Sequence, residues 1–440
     1  MRLIILQLVR LFYPRIEVRG LDRLPTGQPM LMVANHPNGL LDALVLMIGL
    51  RRHVAFLAKS TFFANPVGRV LMAAFGALPV YRPRDEGLAG GAQGDRSSRN
   101  EATFARCREL LQRNHPLALF PEGTTHSHTT MLPLRTGAAR IALSAEAETG
   151  WAIDLRVVPV GLWYQDKARF RSAALVVVGR PFTIDDLAAL YASDPHGAAD
   201  RLTERIDMYL DEVVLQAENA ELLKGLPLVA AWTAPHEPQT LEEQHARTAA
   251  LLAAYQRLRA TDPARLAALE QQARRYARVL RTFGITDPWD LELSAVRRGR
   301  LFGLGLLLLA LLAPALAGFV LSYATYRLAA PLTPVLLGKF EETTSTGKLI
   351  IGTVLVVLGW VIAALIAGWL VSGWWGLALL IAAPALAYAA LRWGEFWREF
   401  REALGYTWLT LRHRALVREL VARRTALAEQ VGRAVQAAQN

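Results

Sequence analysis

Cysteine is almost absent from this chain of 440 residues, which contains one, Cys107. A single cysteine excludes an internal disulfide and a cysteine-based metal cluster. Cys107 lies in "FARCRELL", a segment with helical apolar spacing, where a small buried thiol is the ordinary arrangement. We therefore expect Cys107 to be a core residue.

Charge is missing from two long stretches, residues 301–326 and 349–391, although the net charge of the chain is +11. A membrane-spanning helix needs roughly 20 apolar residues. The sequence therefore predicts a transmembrane region over residues 298–391, with hydrophobic segments at 301–326, 349–371 and 373–391. Because no RNA- or DNA-binding motif is present, this basic charge indicates contact with anionic membrane lipids and no nucleic-acid partner.

The number of membrane crossings stays open. Arginines flank the apolar region on both sides, and they are Arg297, Arg298 and Arg300 before it and Arg392, Arg398 and Arg401 after it. The positive-inside rule places both flanks in the cytoplasm, which requires an even number of crossings. Either residues 328–338 help to complete a kinked crossing or a hairpin, or one segment is re-entrant.

Short apolar runs alternate with helical periodicity in the first half of the chain. This alternation predicts an α/β domain over residues 20–220 with a largely parallel sheet. The predicted strands are 29–35, 53–59, 117–123, 156–164 and 173–179, and the predicted helices are 40–50, 66–78, 99–114 and 137–150. Around this domain we expect an amphipathic membrane-associated helix at 1–19, a helical arm at 221–297 broken at Asp262, and a basic amphipathic helix at 392–440.

A histidine and an aspartate stand out in "ANHPNGLLDALVLM", residues 34–47. A step of six residues would place His36 and Asp42 roughly 120° apart on a helix, so they cannot share a helical face. Turn residues follow the apolar strand, which places His36 on a strand-to-helix loop and Asp42 in the first helical turn. That loop can fold the imidazole onto the carboxylate. The alternative is that Asn38 or Asp42 only caps the helix.

Four motifs in order distinguish these alternatives: "NHPNGLLD" (35–42), "GALPVYRPRD" (76–85), "FPEGTTHS" (120–127) and "VVPVGLWY" (157–164). Together they resemble the glycerolipid acyltransferase family. Five residues separate His36 from Asp42, which is similar to the branch of glycerol-3-phosphate and dihydroxyacetone-phosphate acyltransferases. The resemblance implies an acyltransferase-type layered sheet with flanking helices, held against a membrane. It also implies acyl-CoA or acyl-carrier protein as co-substrate, and no cofactor.

The resemblance implies that His36 is the general base and that Asp42 orients and stabilises its imidazole. Such a pair suits attack by a glycerol hydroxyl, because a neutral histidine can take the hydroxyl proton. No G-x-S-x-G motif is present in the chain, consistent with a reaction without a covalent intermediate. Backbone amides near Gly39 or Gly123 are candidates for stabilising the oxyanion.

Acceptor binding is expected from the second and third motifs. Gly123 would let the backbone approach a phosphate, and Glu122 would bind a glycerol hydroxyl or order the loop. Arg82 matches the family position of a phosphate-binding arginine, and Arg135 is a weaker candidate of the same kind.

A metal site is not expected. His126 and His128 share one face of an extended segment, but no third ligand of a suitable type stands nearby in the sequence.

The sequence thus favours an integral protein of the bacterial cytoplasmic membrane, with its catalytic domain on the cytoplasmic side. It would acylate glycerol 3-phosphate in phospholipid biosynthesis. The first alternative is a lysophosphatidate or another lysolipid as acceptor. A thioesterase that uses water, and an inert lipid-binding protein, are the other classes left open.

Overall fold

The computed structural model describes residues 2–64, 66–81, 93–234, 239–291, 294–337 and 341–439. The chain forms two compact units. One contains residues 1–223 and 339–349, and the other contains residues 224–338 and 350–440.

Seven strands of the described ranges form the sheet of the first unit: β1 (Arg15–Arg19), β2 (Met30–Ala34), β3 (Ala55–Lys59), β4 (Ala77–Val80), β5 (Leu117–Leu119), β6 (Arg156–Tyr164) and β7 (Ala173–Val178). Their order is β1-β7-β6-β2-β5-β3-β4. All neighbours are parallel except β6 and β7. The five expected strands and the largely parallel sheet are confirmed, and β1 and β4 are additional.

Among the described residues, seven α-helices belong wholly to this unit: α1 (Arg2–Phe12), α2 (Leu40–Leu50), α3 (Pro66–Ala74), α4 (Gln93–Gln112), α5 (Gly137–Ala147), α6 (Ala188–Ser193) and α7 (Pro195–Asp211). The amino-terminal helix is shorter than the predicted 1–19. Residues 15–19 form β1 instead, because they pair with β7 at the sheet edge. Such pairing links segments far apart in the sequence, so local periodicity does not reveal it.

The first motif, residues 35–42, spans the junction between β2 and α2. All five residues of β2 are buried, as expected for a central parallel strand. Gly39 follows with φ +62° and ψ −135°, a conformation open in practice only to glycine. α2 then buries residues on every face, including Asp42. A helix buried all round belongs to the core, so the loop before it is held between rigid elements.

In the part of the chain that the structure describes, eight α-helices lie mostly in the second unit: α8 (Ala220–Thr233), α9 (Leu241–Thr261), α10 (Pro263–Thr282), α11 (Ser294–Ala310), α12 (Leu312–Leu337), α13 (Glu341–Leu370), α14 (Gly373–Arg412) and α15 (Arg414–Gln439). The break at Asp262 is as predicted, and the Asp262 side chain caps α10 by accepting from the backbone N–H of Arg265 at 3.0 Å.

The predicted arm and the predicted carboxyl-terminal helix share one hydrophobic core. Trp232 and Tyr276 from the arm pack with Tyr406, Leu420 and Leu427 from the end of the chain. The tail also differs from the single helix expected at 392–440. Nothing breaks the helix where the charges begin, so α14 continues to Arg412 before α15 starts.

Two helices among the described residues are long and apolar enough to cross a membrane, Gly347–Leu370 and Gly373–Arg412. The break between them lies at the predicted position, near Ser372. The first predicted hydrophobic segment, 301–326, is bent by 60° between Gly299–Ala310 and Leu312–Leu328. It is therefore either a broken span or a re-entrant segment, the alternative that the charge pattern left open.

Candidate functional site

The site residues gather at one edge of the sheet. His36 follows β2, Glu122 follows β5, and Tyr164 ends β6. These strands are parallel neighbours, so their carboxyl ends meet at the same edge. This is where α/β proteins commonly bind their ligands.

His36 and Asp42 are in direct contact. Nδ1 of His36 donates to Oδ2 of Asp42 at 3.0 Å, and the Asp42 side chain is fully buried. The imidazole also stacks on the ring of Phe120, with centroids 4.1 Å apart. With Nδ1 holding the hydrogen, Nε2 carries the lone pair that can accept a proton.

Asp42 accepts two further hydrogen bonds. The backbone N–H of Asn38 donates to Oδ2 at 2.8 Å, and the Tyr164 hydroxyl donates to Oδ1 at 2.6 Å. Desolvation, together with the nearby charge of Asp42, raises the pKa of Tyr164 well above its ordinary value. Tyr164 therefore stays protonated and remains a donor to Asp42 at every pH at which the protein would act.

A second group of polar contacts holds the loop before α2. The Asn38 side chain donates to the hydroxyl of Tyr13 at 2.7 Å, and that hydroxyl donates to the backbone carbonyl of Lys167 at 2.6 Å. Nζ of Lys167 in turn donates to the carbonyl of Pro37 at 3.1 Å and to Oγ of Ser127 at 2.8 Å. Lys167 thus bridges the first and third motifs.

Glu122 also joins the two motifs. Its Oε1 accepts from the backbone N–H of His36 at 2.9 Å, and its Oε2 accepts from Leu132 N–H at 2.9 Å and from Nε2 of His126. Burial by itself would raise the pKa of Glu122, but these hydrogen bonds outweigh it and the pKa is lowered. Of its two expected roles, ordering the loop accounts for these contacts, since both oxygens are occupied.

His126 has a structural partner on each side of its ring. Its Nδ1 accepts from the backbone N–H of His128 at 3.2 Å, which leaves the hydrogen on Nε2 for Glu122. Among the described residues, no group of three or more His, Cys, Asp or Glu side chains could hold a metal ion.

Gly123 and Arg135 lie against each other. Gly123 has φ +69°, and a Cβ added there would lie 2.7 Å from Cδ and Nε of Arg135. The N–H of Gly123 donates to the carbonyl of Phe120 at 3.0 Å, so this amide is committed to its own turn. The expectation that the Gly123 amide stabilises an oxyanion is therefore not supported. Arg135 lies beside the loop of the third motif, and its role in phosphate binding stays a prediction.

Arg82 lies outside the described residues. The residue before it, Tyr81, is held at its backbone by Asn100, which donates to the Tyr81 carbonyl and accepts from its N–H, both at 2.9 Å. β4 ends at Val80, on the same edge of the sheet as the ends of β3, β5 and β2. The chain therefore reaches position 81 on the edge where His36 lies.

Four contributors to the site were not predicted: Tyr13, Phe120, Lys167 and the hydroxyl of Tyr164. Phe120 and Tyr164 do lie within the third and fourth motifs, at strand ends, and position alone could have suggested them. Tyr13 carries no local signal, because its contact with Asn38 depends on how α1 packs.

Most residues of this site lie in a region that matches a known protein family. Residues 15–163 match the family model described as Acyltransferase. These residues are an acyltransferase domain. His36, Asp42, Glu122 and Gly123 all lie inside it, and Tyr164 lies one residue beyond the match.

The chain is also similar to curated relatives. The chain is 27% identical over 206 residues to glycerol-3-phosphate O-acyltransferase 2 of Saccharomyces cerevisiae, covering 45% of this chain and 26% of that protein. It is 29% identical over 205 residues to 1-acyl-sn-glycerol-3-phosphate acyltransferase alpha of Homo sapiens, covering 43% and 64%. The chain thus spans less than two thirds of either relative. The crystal structure of the 1-acyl-sn-glycerophosphate acyltransferase PlsC from Thermotoga maritima matches with TM-score 0.33 and 17% identity, covering 48% of this chain and 80% of that one.

Proposed function

We propose that this protein is a membrane-bound O-acyltransferase that transfers a fatty acyl group from acyl-CoA or acyl-carrier protein to a hydroxyl of glycerol 3-phosphate. The observation that carries the proposal is the 3.0 Å contact between His36 and Asp42 inside the acyltransferase domain. The similarity to the yeast glycerol-3-phosphate acyltransferase supports the choice of acceptor.

The proposed reaction needs one base and no covalent enzyme intermediate. Nε2 of His36 takes the proton of the acceptor hydroxyl while the oxygen of that hydroxyl attacks the carbonyl carbon of the thioester. The carbon–sulfur bond then breaks, and the imidazolium returns the proton to the departing thiolate. Asp42 stabilises the imidazolium during this sequence, and Tyr164 holds the carboxylate in place.

Acceptor binding is assigned to the loop of the third motif and to arginines. The Arg135 side chain packs beside Gly123. The backbone N–H of Arg135 donates to the carbonyl of Pro121, two positions before Gly123, at 2.8 Å. A guanidinium in this position suits a phosphate, since it donates two parallel hydrogen bonds. We propose the same role for Arg82, and we assign Glu122 to holding the two loops together.

The membrane location rests on the two long apolar helices. We propose that the catalytic domain faces the cytoplasm, because arginines flank both ends of the apolar region. We further propose the bacterial cytoplasmic membrane as the site of action, where acyl donors and phosphorylated glycerol are both present.

The second candidate acceptor is 1-acylglycerol 3-phosphate, favoured by the similarity to the human enzyme of that name. Membranes that contain the protein, a labelled acyl thioester and both acceptors at equal concentration separate the two, with products identified by mass spectrometry. We expect monoacylglycerol phosphate to form faster. Faster formation of the diacyl product would overturn the choice of acceptor, and free fatty acid alone would indicate a thioesterase.

A further inference from the structure

An apolar groove lies between α11 and the middle of α14. It has a volume of about 490 Å³, is open along one side, and is lined by leucines and aromatic rings, including Phe302, Leu306, Leu309, Trp393, Trp397 and Phe400. Trp393 and Trp397 stack at 5.6 Å between centroids, and Trp397 stacks on Phe400 at 6.1 Å. The Trp393 indole N–H donates to the backbone carbonyl of Leu308 at 3.0 Å, so this polar group already has a hydrogen-bond partner.

α11 and α14 run in opposite directions, and the groove between them has one charged end and one apolar end. At one end Arg300 pairs with Glu399 at 3.2 Å, and at the other Leu308 contacts Trp393. The helical rise between Leu301 and Leu309 is about 12 Å. That length is similar to the acyl layer of one bilayer leaflet, about 15 Å. The groove therefore covers most of the length of one acyl chain.

The charged end is richer in cations than in anions. Among the described residues at this end, Arg300 on α11 and Arg398 and Arg401 on α14 are three cations, whereas Glu399 and Glu402 on α14 are two anions. Arginine binds phosphate well, and cations at a membrane surface attract anionic lipids. The opposite end continues into α12 and α14, where Gly318 packs against the backbone of Leu386.

We propose that this groove binds one acyl chain of an anionic glycerophospholipid of the surrounding bilayer, with the lipid phosphate at the Arg300 end. The chain of such a lipid points toward the apolar helices and its headgroup toward the arginines, which matches the polarity of the groove. The site lies wholly within the second unit, and the proposal does not depend on the acyl-transfer function.

Two glycines on α11 provide a matched test. A Cβ at Gly305 would meet only Cε2 of Phe400, at 4.0 Å, so Gly305→Phe would fill the groove. Gly303 has open space around it and does not line the groove, so Gly303→Phe is the control. Native mass spectrometry of the full-length protein would measure binding of dioleoyl phosphatidylglycerol and of dioleoyl phosphatidylcholine. Neither lipid is a substrate of the proposed reaction.

We expect one phosphatidylglycerol to bind at least about tenfold more tightly than phosphatidylcholine. Gly305→Phe should abolish this preference while Gly303→Phe keeps it. If Gly305→Phe does not fold, the double variant Arg398→Gln/Arg401→Gln should reduce the headgroup preference in the same assay. Equal binding of the two lipids by the unaltered protein, or an unchanged preference in Gly305→Phe or in the double variant, would overturn the proposal.

Discussion

The hydroxyl of Tyr164 donates a 2.6 Å hydrogen bond to Oδ1 of Asp42, while His36 occupies Oδ2 of the same carboxylate. The two contacts fix the carboxylate from both sides. Tyr164 is thus placed to act through Asp42 without touching the reacting atoms, as a positioning residue for the proposed base.

Tyr164→Phe removes this hydrogen bond and keeps the ring. A hydrogen bond to a charged group contributes about 1.5–3 kcal/mol, so we expect kcat to fall by roughly tenfold or more while KM stays near its value. Steady-state kinetics with glycerol 3-phosphate would measure both constants. Tyr191→Phe, a half-buried tyrosine that packs on Trp151, is the matched control and should leave kcat unchanged. A Tyr164→Phe enzyme with full kcat would show that the hydrogen bond from Tyr164 is not needed to hold Asp42 in position.

Glu122→Gln tests the link between the first and third motifs. The glutamine amide would place an N–H donor opposite Leu132 N–H and Nε2 of His126, which both donate to Glu122. We therefore expect the free energy of unfolding near pH 7 to fall by about 1–3 kcal/mol. The pKa of Glu122 is lower in the folded protein than in the unfolded chain. Its contribution is therefore present above the ordinary glutamate value of about 4.3 and is lost as the pH falls through the folded-state value.

Thermal unfolding in detergent at several pH values would measure this effect. The variant should lose stability at neutral pH and show a flatter dependence at acid pH. Glu204→Gln, which removes only an exposed pair with Arg201, is the control and should change little. A Glu122→Gln protein with the stability and pH dependence of the unaltered protein would contradict the assigned role.

Gly123→Ala and Gly150→Ala separate backbone strain from side-chain contact. Both glycines have positive φ, +69° and +64°, but only Gly123 has a neighbour where a Cβ would stand. Both variants should lose about 1 kcal/mol of stability from the strained backbone. Gly123→Ala should also displace Arg135 and raise KM for the phosphorylated acceptor. Equal kinetics for the two variants would show that Arg135 does not contribute to acceptor binding.

Cys107 provides a test with no substitution. Burial, opposed in part by the charge of Arg108, raises the pKa of its thiol to about 12. The reactive thiolate is therefore scarce at pH 8, and we expect N-ethylmaleimide to leave both the thiol and the activity intact in the folded protein. Mass spectrometry of the treated protein would measure modification. Rapid labelling with loss of activity would show an accessible cysteine, against the structure.

The parts of the site that could be predicted from the sequence are those fixed by local structure. An apolar strand, a turn containing Gly39 and a helix place His36 and Asp42 within one short segment, so their contact follows from local rules. The Tyr164–Asp42 contact requires β6 to lie beside β2, which no local pattern specifies. The position of Tyr13 is harder still to predict, since Tyr13 lies between α1 and β1, and β1 is the outermost strand of the sheet beyond β7.

The same reasoning explains the differences in the rest of the chain. The apolar runs and the break near Ser372 are local properties, and the structure has helices with those limits. The carboxyl-terminal segment differs because its charge pattern indicates an amphipathic surface helix, whereas Tyr406 and Leu409 pack into a core with residues from the arm. An amphipathic pattern indicates that one face is buried but does not identify what covers it.

The central claim is that His36 is the base for acyl transfer, and His36→Gln tests it most directly. Acyl transfer to glycerol 3-phosphate would be measured in membranes that contain equal amounts of the His36→Gln or the His115→Gln protein. His115 is an exposed histidine that precedes β5, at the end of this strand that is opposite to the site. Loss of a general base typically reduces the rate about 100- to 10,000-fold, so we expect at least a hundredfold decrease for His36→Gln and none for His115→Gln. A His36→Gln protein that transfers acyl groups at the rate of the unaltered protein would contradict the account.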